Sequence, residues 1–114
     1  MAKLFEITDE NFKKEVLENS KPYSVTFSDV SFCAPCRQLH EILQKEVINH
    51  PIAQEVNFGT VEVSGSGINI STSHGIRGVP TTILINKKGE EFARIIGSVN
   101  FQDKKFLKWL SNYD

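Results

Sequence analysis

The stretch SFCAPCRQL (31–39) contains both cysteines of the chain, Cys33 and Cys36, spaced by Ala34 and Pro35. On its N-terminal side, YSVTFS (23–28) is dense in β-forming residues and predicts a strand. On its C-terminal side, Leu39, Ile42, Leu43 and Val47 recur at helical spacing. Pro35 agrees with a helix start, because a first-turn residue needs no N–H partner within the helix. The cysteines thus fall at a strand-to-helix junction, with Cys33 at the helix edge and Cys36 one turn in.

That placement carries chemistry. A helix N-terminus presents unpaired N–H groups and about half a positive charge. A thiolate is stabilised there, and Arg37 adds positive charge nearby. Cys33 is expected to be the exposed sulfur and Cys36 the buried one. Side chains three apart on a helix approach each other, so the two sulfurs can bond. Cys33 can then attack a partner disulfide, and Cys36 can resolve the mixed disulfide. In that second step Cys36 must lose its proton to some nearby group or water.

The same spacing also serves zinc ribbons, iron–sulfur sites and disulfide staples. A structural zinc needs four ligands, and the three histidines, His40, His50 and His74, form no closely spaced pair. No metal and no other cofactor is expected. A chain of 114 residues buries roughly two-thirds of its unfolded surface and can fold without a staple. Closing a loop over two residues would add little order. Two buried cysteines without a role are the plain alternative. The junction between a β-rich run and a helix favours redox exchange.

Lys and Arg number 13 and Asp and Glu 14, for a net charge of −1. The basic residues are dispersed, so no nucleic-acid surface is expected. The longest apolar runs, such as ILI (83–85), are far too short to span a bilayer. The opening MAKLFEITDE has no apolar signal core. The expectation is one domain over residues 1–114, monomeric, with no nucleic-acid or membrane partner. The expected location is cytoplasmic, or periplasmic and otherwise extracytoplasmic if a leader has been removed.

Further out, KLFEI (3–7) predicts a short strand and TDENFKKEVLENS (8–20) a helix, capped by Thr8 or Asp9. Phe12, Val16 and Leu17 form its apolar stripe, and Lys21–Pro22 breaks it. NHP (49–51) ends the cysteine-bearing helix, and PIAQEV adds a short turn. NFGTVEV (57–63) predicts a strand, and SGSGINISTSHG (64–75) a loop with room for a short helix. TTILIN (81–86) and EFARIIG (91–97) predict a hairpin turning at Lys87–Gly89. NFQDKKFLKWLSNYD (100–114) predicts an amphipathic helix on Phe101, Phe106, Leu107 and Leu110, with Trp109 as packing. Strands alternating with helices imply an α/β fold whose parallel sheet is made mixed by the hairpin.

These segments together resemble the thioredoxin family over nearly the whole chain. LFEITDENFKKEVLENSKPYSVTF resembles its opening strand, helix and second strand. FCAPCRQL resembles its active-site segment, usually Trp-Cys-Gly-Pro-Cys. GIRGVPTTILINKKGE (75–90) resembles the segment carrying its cis-proline. The resemblance implies the thioredoxin fold, a central mixed β-sheet of about five strands flanked by helices on both faces. It implies a thiol–disulfide oxidoreductase that reduces protein disulfides, with Cys33 as nucleophile and Cys36 as resolving cysteine. Pro80 matches the cis-proline, and the backbone of Val79 would pair with the substrate chain. Phe32, Ala34, Pro35 and Gly97 would complete the substrate groove. The implied partners are proteins with disulfides, and a thioredoxin-reductase-type or other dithiol electron donor.

The chain also departs from the family. Phe32 replaces the tryptophan, Ala34 the glycine, and the segment from Val25 to Cys33 is one residue longer. The family's buried aspartate, which assists proton transfer, has Thr26 at its matching position, and a nearby lysine has Thr60. Asp29 and Glu62 are the candidate substitutes, while His40, one turn past Cys36, reads as a packed or solvated histidine. The stretch 46–63 resembles instead the thioredoxin-like domains of membrane-linked thiol–disulfide interchange proteins. The competitors are that interchange role and a non-enzymatic peptide-binding module with vestigial cysteines.

Overall fold

Six consecutive residues, Tyr23–Ser28, are all buried, which a strand achieves only when both faces of its sheet are covered. This strand, β2, lies at the centre. The computed structural model describes residues 4–19, 21–47, 49, 51 and 55–97. Within them run β1 (Leu4–Ile7), β2, α1 (Ala34–Ile42), β3 (Asn57–Glu62), α2 (Ile68–Ser73), β4 (Thr81–Ile85) and β5 (Glu91–Ile96). The sheet order is β1-β3-β2-β4-β5. β3 pairs in parallel with both β1 and β2, while β4 pairs antiparallel with β2 and β5. This is the mixed five-stranded sheet of the thioredoxin fold.

Period-two alternation divides β2 between two layers. Tyr23, Val25 and Phe27 join Ile7, Phe12, Val16, Val61 and Ile70 in one apolar cluster. Ser24, Thr26 and Ser28 point to the other face, which α1 covers through Leu39 and its neighbours. Gly59 on β3 permits the close approach on the apolar side: a Cβ there would lie 2.7 Å from Ile7 Cγ1 and 2.9 Å from Tyr23 Cε1. Helical segments therefore flank both faces, as expected.

The helix expected over 8–20 is shorter than its sequence pattern. Thr8 caps its start: its hydroxyl accepts from Asn11 N–H at 3.2 Å, and Asn11 Oδ1 accepts from Thr8 N–H at 2.8 Å. Residues Lys13–Leu17 then adopt a π-helical turn, with Glu18 N–H bonded to Lys13 O. Phe12 and Val16 are buried as predicted, but Leu17 is exposed. Asp9 serves a different element. Its carboxylate accepts from Asn69 N–H at 3.2 Å and Ile70 N–H at 2.9 Å, and so caps α2. α1 continues as a second π-helical segment, Leu43–Val47. The helix expected over 100–114, with Trp109, lies outside the described residues. Among those residues no helix is long and apolar enough to cross a membrane.

Candidate redox site at the start of α1

β2 ends at Ser28, and the chain then turns over Asp29, whose carbonyl accepts from Phe32 N–H at 3.2 Å and Cys33 N–H at 2.9 Å. That turn delivers Cys33 to the N-cap of α1, in extended conformation with φ −117°. Pro35 occupies the first turn. The N–H of Cys36 points at Cys33 Sγ, 3.1 Å away. A free helix N–H aimed at sulfur stabilises negative charge there. Arg37 turns outward, and its Nη1 donates to the Val30 carbonyl at 2.6 Å. Cys33 and Cys36 are joined as a disulfide with their Cα atoms 5.2 Å apart. Cys33 is half-buried and Cys36 is 0% exposed, the asymmetry read from the motif.

The segment before β4 closes over the pair. The Val79–Pro80 peptide is cis, and Cys33 Sγ lies 3.9 Å from the Val79 carbonyl oxygen. Gly97 sits at φ +91°, a conformation glycine adopts without strain, and its N–H donates to the Pro80 carbonyl at 2.8 Å. Cys33, Val79, Pro80 and Gly97 are thereby brought together. Beside them Ala34 and Pro35 are exposed, and Phe32 is 86% exposed. An unshielded phenyl ring costs free energy in water, so its exposure suits a surface that meets another molecule.

Behind the sulfurs, α1 covers hydroxyls rather than a charge pair. Thr26 is fully buried, with its hydroxyl 3.0 Å from that of Thr82 on β4. Thr60 stands opposite Thr26 in the β2–β3 register. Glu62 turns to the same face, where its Oε1 accepts from Val30 N–H at 3.0 Å. Burial, and to a smaller extent the charge of Asp29, raise its pKa, while the Val30 N–H opposes the shift. Asp29 Oδ2 accepts from Ser64 Oγ at 3.0 Å, and its Oδ1 is buried with no partner among the described residues. His40 Nε2 lies 3.0 Å from Ser28 Oγ, and burial lowers the imidazole pKa. His74 is elsewhere, edge-on to Phe12, with Nδ1 2.9 Å from the Ile70 carbonyl. Among the described residues no three His, Cys, Asp or Glu side chains cluster closely enough to hold a metal ion. Ser28 was missed in the sequence; its position two residues past Thr26 on one strand was the available signal.

Comparison with known proteins agrees with this geometry. The family described as a thioredoxin-like domain matches residues 10–113. Thioredoxin of Rickettsia felis is 36% identical over 109 residues, covering 92% of this chain and 93% of its own. Thioredoxin of Buchnera aphidicola subsp. Schizaphis graminum is 36% identical over 112 residues, covering 94% and 95%. The crystal structure of Malassezia sympodialis thioredoxin superposes with a TM-score of 0.82 at 22% identity, covering 99% of this chain and 92% of that one. That last likeness concerns the fold alone.

Proposed function

Because the chain belongs to the thioredoxin family, we propose that it reduces disulfides in other proteins, with Cys33 as nucleophile and Cys36 as resolving thiol. It is a thiol–disulfide oxidoreductase, by family and by its intact cysteine pair. The assignment of roles rests on one observation, the unequal setting of the two sulfurs. Cys33 is the accessible one, and an N–H points at its Sγ; Cys36 is buried beneath it.

The reaction then runs in two exchanges. The Cys33 thiolate attacks one sulfur of the substrate disulfide, and the electron pair of the broken S–S bond leaves on the other sulfur, which takes a proton. Cys36, once deprotonated, attacks Cys33 Sγ, forms the internal disulfide and releases the second substrate thiolate. The dithiol is oxidised and the substrate disulfide is reduced. A thioredoxin-reductase-type enzyme or another dithiol protein restores the pair.

Substrate would lie across Phe32, Ala34, Pro35, Val79, Pro80 and Gly97. The nearness of Val79 to Cys33 supports this reading, because a peptide paired in strand fashion with the Val79 backbone carries its disulfide to the nucleophile. We place this activity in the cytoplasm, in a monomer.

Insulin-disulfide reduction with dithiothreitol as electron source tests the assignment. Cys33→Ser is expected to abolish catalysis, and Cys36→Ser to accumulate a mixed disulfide through Cys33. Equal rates in wild type and Cys33→Ser would return the chain to a peptide-binding module.

A further inference from the structure

The resolving step leaves a proton to be placed. Thr26 and Thr82 offer a hydroxyl pair where a carboxylate would serve. Cys36 has no solvent-exposed surface, so bulk water does not supply the base. One turn along α1, on the same helix face as Cys36, stands His40. Its Nε2 is 3.0 Å from the buried Ser28 hydroxyl, which fixes the ring against β2. Both Ser28 and Thr26 project from β2 toward α1.

His40 also borders a crevice of about 370 Å³. Ser28 from β2 touches the ring, and the crevice is lined besides by Glu6 from β1, Thr60 and Glu62 from β3, and Gln44 from its own helical run. Among the described residues no Lys or Arg lines this crevice. Half-burial lowers the pKa of the imidazole, leaving the ring neutral and able to accept a proton at neutral pH. The crevice gives it a route to solvent.

We propose that His40, held in place by Ser28, accepts the proton of the Cys36 thiol during resolution of the mixed disulfide. This rests on the assignment of Cys36 as the resolving thiol. The proton moves from Cys36 Sγ to the imidazole. The thiolate forms the Cys33–Cys36 bond, and the Cys33–substrate bond breaks with its electron pair on the substrate sulfur. The imidazolium releases its proton to water in the crevice, and the departing thiolate takes one from solvent. When the electron donor later reopens the disulfide, the path runs backward and Cys36 is reprotonated.

The test uses 5,5′-dithiobis(2-nitrobenzoate) with the reduced full chain in stopped flow. Attack by Cys33 releases a first thionitrobenzoate, and attack by Cys36 a second. Loss of a general base typically costs a hundredfold or more, and at least about tenfold is expected for the second phase of His40→Gln at neutral pH. The deficit should shrink as the pH rises past about 9, because Cys36 comes to ionise unaided above a free-thiol value that its burial has raised. The first phase should be unchanged. Ser28→Ala should show a smaller deficit with the same alkaline recovery. A second phase equal to wild type at every pH overturns the proposal. So does an equal deficit at every pH, which marks a structural role.

If the first phase is missing in wild type, or survives in Cys33→Ser, the assignment of Cys33 and Cys36 fails and the proposal falls with it. A wild-type measurement covers the case in which His40→Gln does not fold. The NMR titration of His40 should differ between the dithiol and disulfide forms, and superimposable curves overturn the proposal.

Discussion

Thr26 and Thr82 satisfy each other in a place where neither has water. Replacing one alone strands the other, whereas replacing both removes the need. Thr26→Val is therefore expected to cost about 1–3 kcal/mol in urea unfolding, and Thr26→Val with Thr82→Val clearly less than twice that. A double-mutant cycle measures the difference. Thr26 was legible in the sequence as the position without the family's aspartate. Its partner was not, because the two are 56 residues apart and only the antiparallel register joins them. Cys33, Cys36 and Pro80 were legible because local spacing and flanking residues mark them. His40 reads in the sequence as a packed or solvated histidine and Ser28 as one more strand residue; their pairing depends on how α1 lies across the sheet.

Among the elements, α2 depends most on something outside itself. Six residues long, it buries only Ile70 and Ser71, and an isolated helix of that length does not persist in water. Asp9, at the far end of β1, supplies its cap. Asp9→Ala should destabilise the protein by about 1 kcal/mol, seen as a melting temperature lower by about 4 °C. Asp9→Asn should keep most of the loss from appearing. This dependence explains why SGSGINISTSHG reads as loop: its helix is specified by a carboxylate 60 residues earlier. α1, β2 and the β4–β5 hairpin carry their own apolar periodicity, and the sequence places them correctly. The first helix was overextended because its amphipathic pattern continues beyond the turns that form. The capping of that helix was open between Thr8 and Asp9, and each turned out to serve a different helix.

Across the whole molecule, stability responds to pH through groups the apolar core encloses. Tyr23 is fully buried, and its hydroxyl donates to Glu15 Oε1 at 3.3 Å. Burial first, then the Glu15 charge and hydrogen bond, raise its pKa far above the ordinary value. The folded state thus keeps a proton that the unfolded chain loses near pH 10. Stability is fully present below that pH and falls above it, by up to about 1.4 kcal/mol per pH unit. Tyr23→Phe should flatten this alkaline decline, while lowering neutral stability by about 1 kcal/mol for the lost hydrogen bond. Urea midpoints measured on both sides of about pH 10 check it.

The strand order has a further consequence for the growing chain on a ribosome. β2 bonds on one side to β3 and on the other to β4, and its pairing with β4 joins Tyr23 to Ile85 and Phe27 to Thr81. The central strand therefore emerges with both edges unpaired; β3 follows some 30 residues later, and the edge that β4 will fill stays open until some 60 more residues have been made. Synthesis at about 5–20 residues per second makes that interval several seconds. During it, the most buried segment of the finished protein is the one that a chaperone or a neighbouring nascent chain can reach.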